Sequence, residues 1–108
     1  MGDGLGEFEQ LVLLALVRLG DEAYGVTVHE QLERRAGRDV ALGAVYKTLA
    51  RLEAKKLVAA HLGEPTAERG GRRKRHYQVT PAGKQALSRS LAALHRMTAG
   101  LGLIPDPT

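Results

Sequence analysis

The hydrophobic rhythm of this chain changes twice. From about Glu7 to Lys56 apolar residues recur every three or four positions, in "KRHYQVT" they alternate one for one, and after Pro81 the helical spacing returns. A helix repeats every 3.6 residues and a strand every two, so the two rhythms demand different backbones. The chain must be mostly helical, with a small strand element inserted before its last helix.

The first apolar stretch, "EFEQLVLLALVRLG", reads as a helix from about Glu7 to Leu19 with Gly20 as its stop. Phe8, Leu11, Val12, Leu14, Ala15, Leu16 and Leu19 wrap most of its circumference. A helix apolar nearly all round is buried on more than one side. Its run Leu11 to Leu19 is interrupted by Arg18, lacks a basic leader and is too short to span a bilayer, so it reads as a core helix and no membrane partner is expected.

"DEAYG" makes a turn, and "VTVHEQLERRAG" a second helix with Val28, Leu32 and Ala36 on one face and Gly37 closing it. "RDVAL" is a short link. A third helix runs from Gly43 to about Lys56: Val45, Leu49 and Leu52, with Leu42 just ahead, form an inward stripe, and Lys47, Thr48, Arg51 and Lys55 are expected on the opposite face.

"LVAAHLG" and "KRHYQVT" are the strands, the second placing Tyr77 and Val79 on one face and His76 and Gln78 on the other. Thr80 followed by Pro81 caps and starts a last helix, along which Leu87, Leu91 and Leu94 form a seam. The tail "AGLGLIPDPT" is expected to fray.

Charge is distributed unevenly along the chain. Residues 1 to 42 carry four Lys or Arg against eight Asp or Glu, and residues 43 to 108 carry twelve against four, so the halves stand at −4 and +8. The connection between the strands holds Arg69, Gly70, Gly71, Arg72, Arg73, Lys74 and Arg75, and at about ten residues "EPTAERGGRR" is longer than a tight hairpin needs. A basic helix followed by a basic loop points to a polyanion, and the order helix, helix, helix, strand, loop, strand, helix is that of a winged helix-turn-helix in the α+β class.

In that geometry the third helix enters the major groove of double-stranded DNA while the wing holds phosphates or a neighbouring minor groove. The expected organisation is a winged-helix DNA-binding domain over 1–80, a C-terminal dimerisation helix over 81–99 and a tail over 100–108. Phe8, Leu11, Val12, Leu87, Leu91 and Leu94 either meet a second copy of the chain or cover the monomer's own core.

The stretches "YG" (Tyr24, Gly25), "GAVYKTLARLEAKKLV" (Gly43 to Val58) and "RKRHYQVTPAGKQAL" (Arg73 to Leu87) resemble the PadR family of bacterial transcriptional regulators, in its short form with a single C-terminal helix. The resemblance covers roughly residues 5 to 95. It implies a homodimeric repressor on a palindromic operator, with the last helix packed against the partner's N-terminal region. It also implies that Tyr46 contacts the DNA backbone, in a recognition segment made of Gly43, Ala44, Tyr46, Lys47, Thr48 and Arg51. The usual pattern has threonine and proline where this chain has Ala44 and Lys47, which removes a hydroxyl and adds a cation. Tyr24 reads either as a DNA contact or as a packing aromatic, and Gly25 as a site of close packing or helix start.

Other functions find less support in the residues. No nucleophile elbow and no phosphate-binding loop are present, so an enzyme is not expected. The four histidines, His29, His61, His76 and His95, show no tight ligand spacing along the chain, and no metal or other cofactor is expected. One Phe, three Tyr and no Trp leave few platforms for stacking single-stranded bases or sandwiching a flat effector. Phe8, Leu11 and Ala15 either line an aliphatic effector pocket or form a filled core, and the sequence favours neither. The absence of cysteine suits a reducing compartment, hence the cytoplasm. The alternative is a winged helix that meets an acidic protein instead of DNA.

Overall fold

The computed structural model describes residues 4–63 and 74–104. Its elements run α1 (Glu7–Leu19), a single 3-10 turn (Gly20–Glu22), α2 (Gly25–Arg34), α3 (Leu42–Ala54), β1 (Val58–Leu62), β2 (Arg75–Val79) and α4 (Pro81–Thr98). The expected order of helices and strands is present. The connection between the strands, with Arg69, Gly70, Gly71, Arg72 and Arg73, lies outside the described residues.

Each boundary has a local cause. Glu9 folds back so that its Oε1 accepts the Gly6 N–H at 3.0 Å, satisfying one of the donors that every helix start leaves open. Gly20, at φ +57, ends α1. Thr27 does for α2 what Glu9 does for α1, accepting the Tyr24 N–H at 3.0 Å and donating its hydroxyl to the Glu22 carbonyl at 2.6 Å. α2 stops three residues before the expected Gly37, which sits at φ +66 where the chain reverses and the Arg38 N–H reaches the Leu32 carbonyl.

α3 starts one residue earlier than expected and closes in a Schellman motif. The Leu57 N–H reaches the Leu52 carbonyl at 3.0 Å and the Lys56 N–H the Glu53 carbonyl at 2.9 Å, with Lys56 itself left-handed at φ +64. The strands pair antiparallel from Val58↔Val79 to Leu62↔Arg75. Thr80 then accepts the Gly83 N–H at 3.0 Å, and Pro81 occupies the first position of α4.

α1 is the central element, with Val12, Leu13 and Leu16 buried against α2, α3, β2 and the start of α4. Val28 and Leu32 of α2 and Val45, Leu49 and Leu52 of α3 complete the helical layer, and Val58, Tyr77 and Val79 close it from the hairpin. The alternation expected in β2 is present: Tyr77 and Val79 face in, His76 and Gln78 out.

Four residues sit differently from expectation. Thr48 is buried, because positions 45, 48, 49 and 52 form one stripe at helical spacing and the small hydroxyl fits within it. Leu42, expected to lead that stripe, is exposed on the first turn. Val12 and Leu87, assigned to a partner surface, are buried in the chain's own core.

The first two turns of α4 pack through Gly83, Ala86 and Leu87; beyond them the helix leaves the body, and Leu94 and Met97 are 52% and 76% exposed. Gly83 is where α4 touches down: a Cβ there would lie 2.1 Å from the Leu57 carbonyl oxygen and 2.8 Å from Val79 Cγ1. That oxygen already accepts the Thr80 N–H at 3.0 Å, so it cannot retreat without losing a bond. Gly83→Ala should therefore destabilise the fold by about 1–3 kcal/mol, the usual cost of overpacking, and lower the thermal midpoint measured by circular dichroism.

Candidate nucleic-acid interface

Since 45, 48, 49 and 52 face the core, the opposite side of α3 carries Gly43, Lys47, Ala50 and Ala54, all exposed, with Tyr46 on one flank and Ala44 and Arg51 on the other. This face is narrow in profile: small side chains lie along its middle and the long cationic ones stand beside them. Of the residues assigned from sequence, Gly43, Ala44, Tyr46, Lys47 and Arg51 come together here. Thr48 does not. Ala50 was passed over because alanine carries no chemistry of its own, although its phase on the helix places it there.

Tyr46 joins this face to the start of α2. Its phenol lies over Gly25, where a Cβ would come within 2.2 Å of Cζ and Oη, so only a glycine leaves room for the ring. The preceding residue, Tyr24, is extended and half-buried, and its ring edge meets His76 at 5.5 Å between centroids. Lys74, at the foot of β2, donates to the Tyr24 hydroxyl at 3.1 Å and sits 4.3 Å from the ring centroid. The exposed side of α3 and the start of β2 thus both rest on the α2 N-terminus. That helix start presents amides and a positive dipole end, which suit an anion.

The hairpin is held there by the backbone. The Tyr77 N–H donates to the Ala23 carbonyl at 2.9 Å, and Tyr24 forms an isolated antiparallel bridge with His76.

Two ion pairs fix α3 from behind. Glu9 is only 6% exposed, and its Oε2 accepts from Lys55 Nζ at 2.9 Å with Arg51 Nη1 at 3.9 Å. Burial pushes the Glu9 carboxyl upward, but hydrogen bonds from Lys55 and Gly6 and the charges of Lys55 and Arg51 outweigh it and hold it below the ordinary 4.5. Arg75, expected to serve the wing, is the first residue of β2 and forks onto both Glu53 oxygens at 3.1 and 3.3 Å, tying the hairpin to the C-terminal end of α3. Its charge is matched within the chain, whereas Lys47 reaches solvent.

Of the residues assigned to a partner surface, Phe8 and Leu11 are half-buried and Leu91 and Leu94 exposed. No helix among the described residues is long and apolar enough to cross a membrane.

The chain matches the Transcriptional regulator PadR-like family over residues 13–89. It is 33% identical over 97 residues to an uncharacterized 37.1 kDa protein in transposon TN4556 of Streptomyces fradiae, covering 87% of this chain but only 26% of that protein's length. Among solved structures it resembles a PadR family transcriptional regulator from Eggerthella lenta, at 27% identity and TM-score 0.65 over 89% of this chain and 83% of the other. A PadR family transcription regulator from Clostridium difficile shares the fold, at 24% identity and TM-score 0.64 over 88% of this chain and all of the other.

Gly25→Ala should displace the Tyr46 ring and shift its proton resonances. If the steric reading holds, the same substitution in a Tyr46→Ala background should cost at least about 1 kcal/mol less stability than in the native chain, a coupling read from a double-mutant cycle. Glu9→Gln should cost about 1–2 kcal/mol. A depressed carboxyl contributes stability above its unfolded value and loses it as pH falls through the folded one. The native chain should therefore weaken below about pH 4.5 more steeply than Glu9→Gln, as followed by urea denaturation across pH.

Proposed function

The chain belongs to the PadR-like family of transcriptional regulators, and from that premise we propose that it acts as a homodimer, binding double-stranded DNA in a sequence-specific way and repressing transcription in the cytoplasm. The exposed face of α3 enters the major groove and reads bases through Lys47 and Arg51, with Gly43, Ala44 and Ala50 allowing close approach and Tyr46 placed for the backbone. Lys74, with Arg69, Arg72 and Arg73 beyond it, grips phosphates on either side of Gly70 and Gly71, which carry affinity without sequence information. Tyr24 and Gly25 present the start of α2 to the same backbone.

The observation that supports this reading best is the pair of contacts that meet at the start of α2: the Tyr46 ring of α3 rests on Gly25, and Lys74 before β2 bonds to the neighbouring Tyr24, with Lys47 exposed one position after Tyr46 on α3. A surface that meets DNA must present reading and holding groups together, and these contacts bring α3 and the hairpin to one helix start.

Two-fold pairing is supported by the apolar stripe Leu91, Leu94 and Met97 on a helix that leaves the body, and by the half-buried Phe8 and Leu11. Residues 1–80 with the first turns of α4 form the DNA-binding unit, and the rest of 81–99 the dimerisation helix, with 100–108 as tail. Two α3 helices would then lie about 34 Å apart, facing half-sites of a palindromic operator.

Binding to a random duplex should weaken with salt by a slope of about −0.9 in log K per phosphate engaged, measured by fluorescence anisotropy. Arg72→Ala should lower affinity for all duplexes alike and flatten that slope. Lys47→Ala should narrow the gap between selected and random DNA by about 1–3 kcal/mol. Leu91→Glu with Leu94→Glu should turn a dimer into a monomer in light scattering and weaken operator binding with it; a native chain that scatters as a monomer at micromolar concentration overturns the two-fold reading.

A further inference from the structure

His61 and His76 stand fifteen positions apart in sequence, yet they are direct partners across the hairpin. Their rings stack with centroids 5.5 Å apart and planes inclined by 22°. His76 Nδ1 lies 3.0 Å from the Asp21 carbonyl oxygen. A carbonyl only accepts, so Nδ1 carries the proton and Nε2 keeps its lone pair. Proteins orient ligating imidazoles by this kind of outer hydrogen bond.

The Cδ2–Nε2 edge of His76 lies against Gly63, which approaches so closely that a Cβ there would sit 2.8 Å from both atoms; a glycine at this position adds no side chain in front of Nε2. Both histidines and Asp21 line one cavity of about 370 Å³ between the hairpin, the end of α1 at Leu16 and Val17, and Lys84 of α4, with no residue of α3 in its wall.

We infer that His61 and His76 form a binding site for a borderline transition-metal dication such as Zn²⁺, Ni²⁺ or Cu²⁺. Neutral imidazole suits these ions, whereas Mg²⁺ and Ca²⁺ require oxygen donors. His61 is exposed, so its ring is free to turn and bring a nitrogen to the same ion. Among the described residues no three His, Asp or Glu side chains converge as a ligand set. The protein therefore offers two nitrogens, and water completes the shell. Asp21 and Lys84 lie on the same cavity wall with opposite charges, so neither sign dominates its mouth. A bound ion would clip β1 to β2 one pair before the end at Leu62↔Arg75, where the connecting segment leaves the strands.

The test uses tag-free full chain titrated with NiCl₂ and ZnCl₂ by calorimetry, in the absence of DNA. One ion per chain is expected at pH 7.5. Affinity should fall at least tenfold in His61→Ala and in Gly63→Ala; the latter keeps both imidazoles and fills the space before Nε2, and circular dichroism verifies that it folds. Substoichiometric CuCl₂ should broaden the ring resonances of His61 and His76 before those of His29 and His95. Equal affinity in native and His61→Ala proteins, or broadening that begins at His29 or His95, overturns the site.

Discussion

A two-stranded hairpin is marginal in water by itself, and everything this molecule presents on its recognition side depends on how that hairpin is anchored. The anchor is a backbone hydrogen bond from Tyr77 to the Ala23 carbonyl, extended by the bridge between Tyr24 and His76. It ties residues 23 and 24 to the outer side of β2. Because Ala23 and Tyr24 lead directly into α2, the contact that stabilises the hairpin also sets its angle to the helices. The inward side chains Tyr77 and Val79 then seal the core that the helices leave open.

The surface built on this frame joins parts that would otherwise be independent. Tyr46 belongs to α3 but rests on Gly25 of α2, and Lys74 belongs to the hairpin but rests on Tyr24 of the same helix start. Behind them Glu9 holds the end of α3 to the beginning of α1, and Glu53 holds it to β2. The basic half of the chain is thus not a uniform field. Lys55 and Arg75 are drawn into internal pairs, while Lys47 reaches outward, and this division cannot be read from net charge.

The order of elements was legible because period and punctuation agree: Gly20, Gly37 and Thr80-Pro81 mark the changes of direction that the apolar spacing requires. What the sequence hid were cases where residue type and phase conflict. Thr48 is polar yet falls in the buried stripe of α3, and Leu42 is apolar yet stands at its open first turn. The circumference of α1 suggested a partner on several sides, but Val12 and Leu13 are covered by the chain's own helices. Arg75 is indistinguishable in sequence from the arginines before it, since its carboxylate partner lies twenty-two residues away on α3. The two histidines on the hairpin read as unrelated for the same reason: ligand spacing is judged along the chain, and pairing across strands brings together residues that it keeps apart.

The touchdown of α4 on Leu57 has a consequence for the far end of the hairpin. One carbonyl receives the Thr80 N–H and lies against the bare Cα of Gly83, so the pairing of Val58 with Val79 is locked from below. Strand register is set by the hydrophobic pattern and by turn geometry. Here it is also held at the extremity beside α4, where Leu57 meets Thr80 and Gly83, so the faces that turn Tyr77 and Val79 inward are fixed at the point where the sheet leaves the helical body.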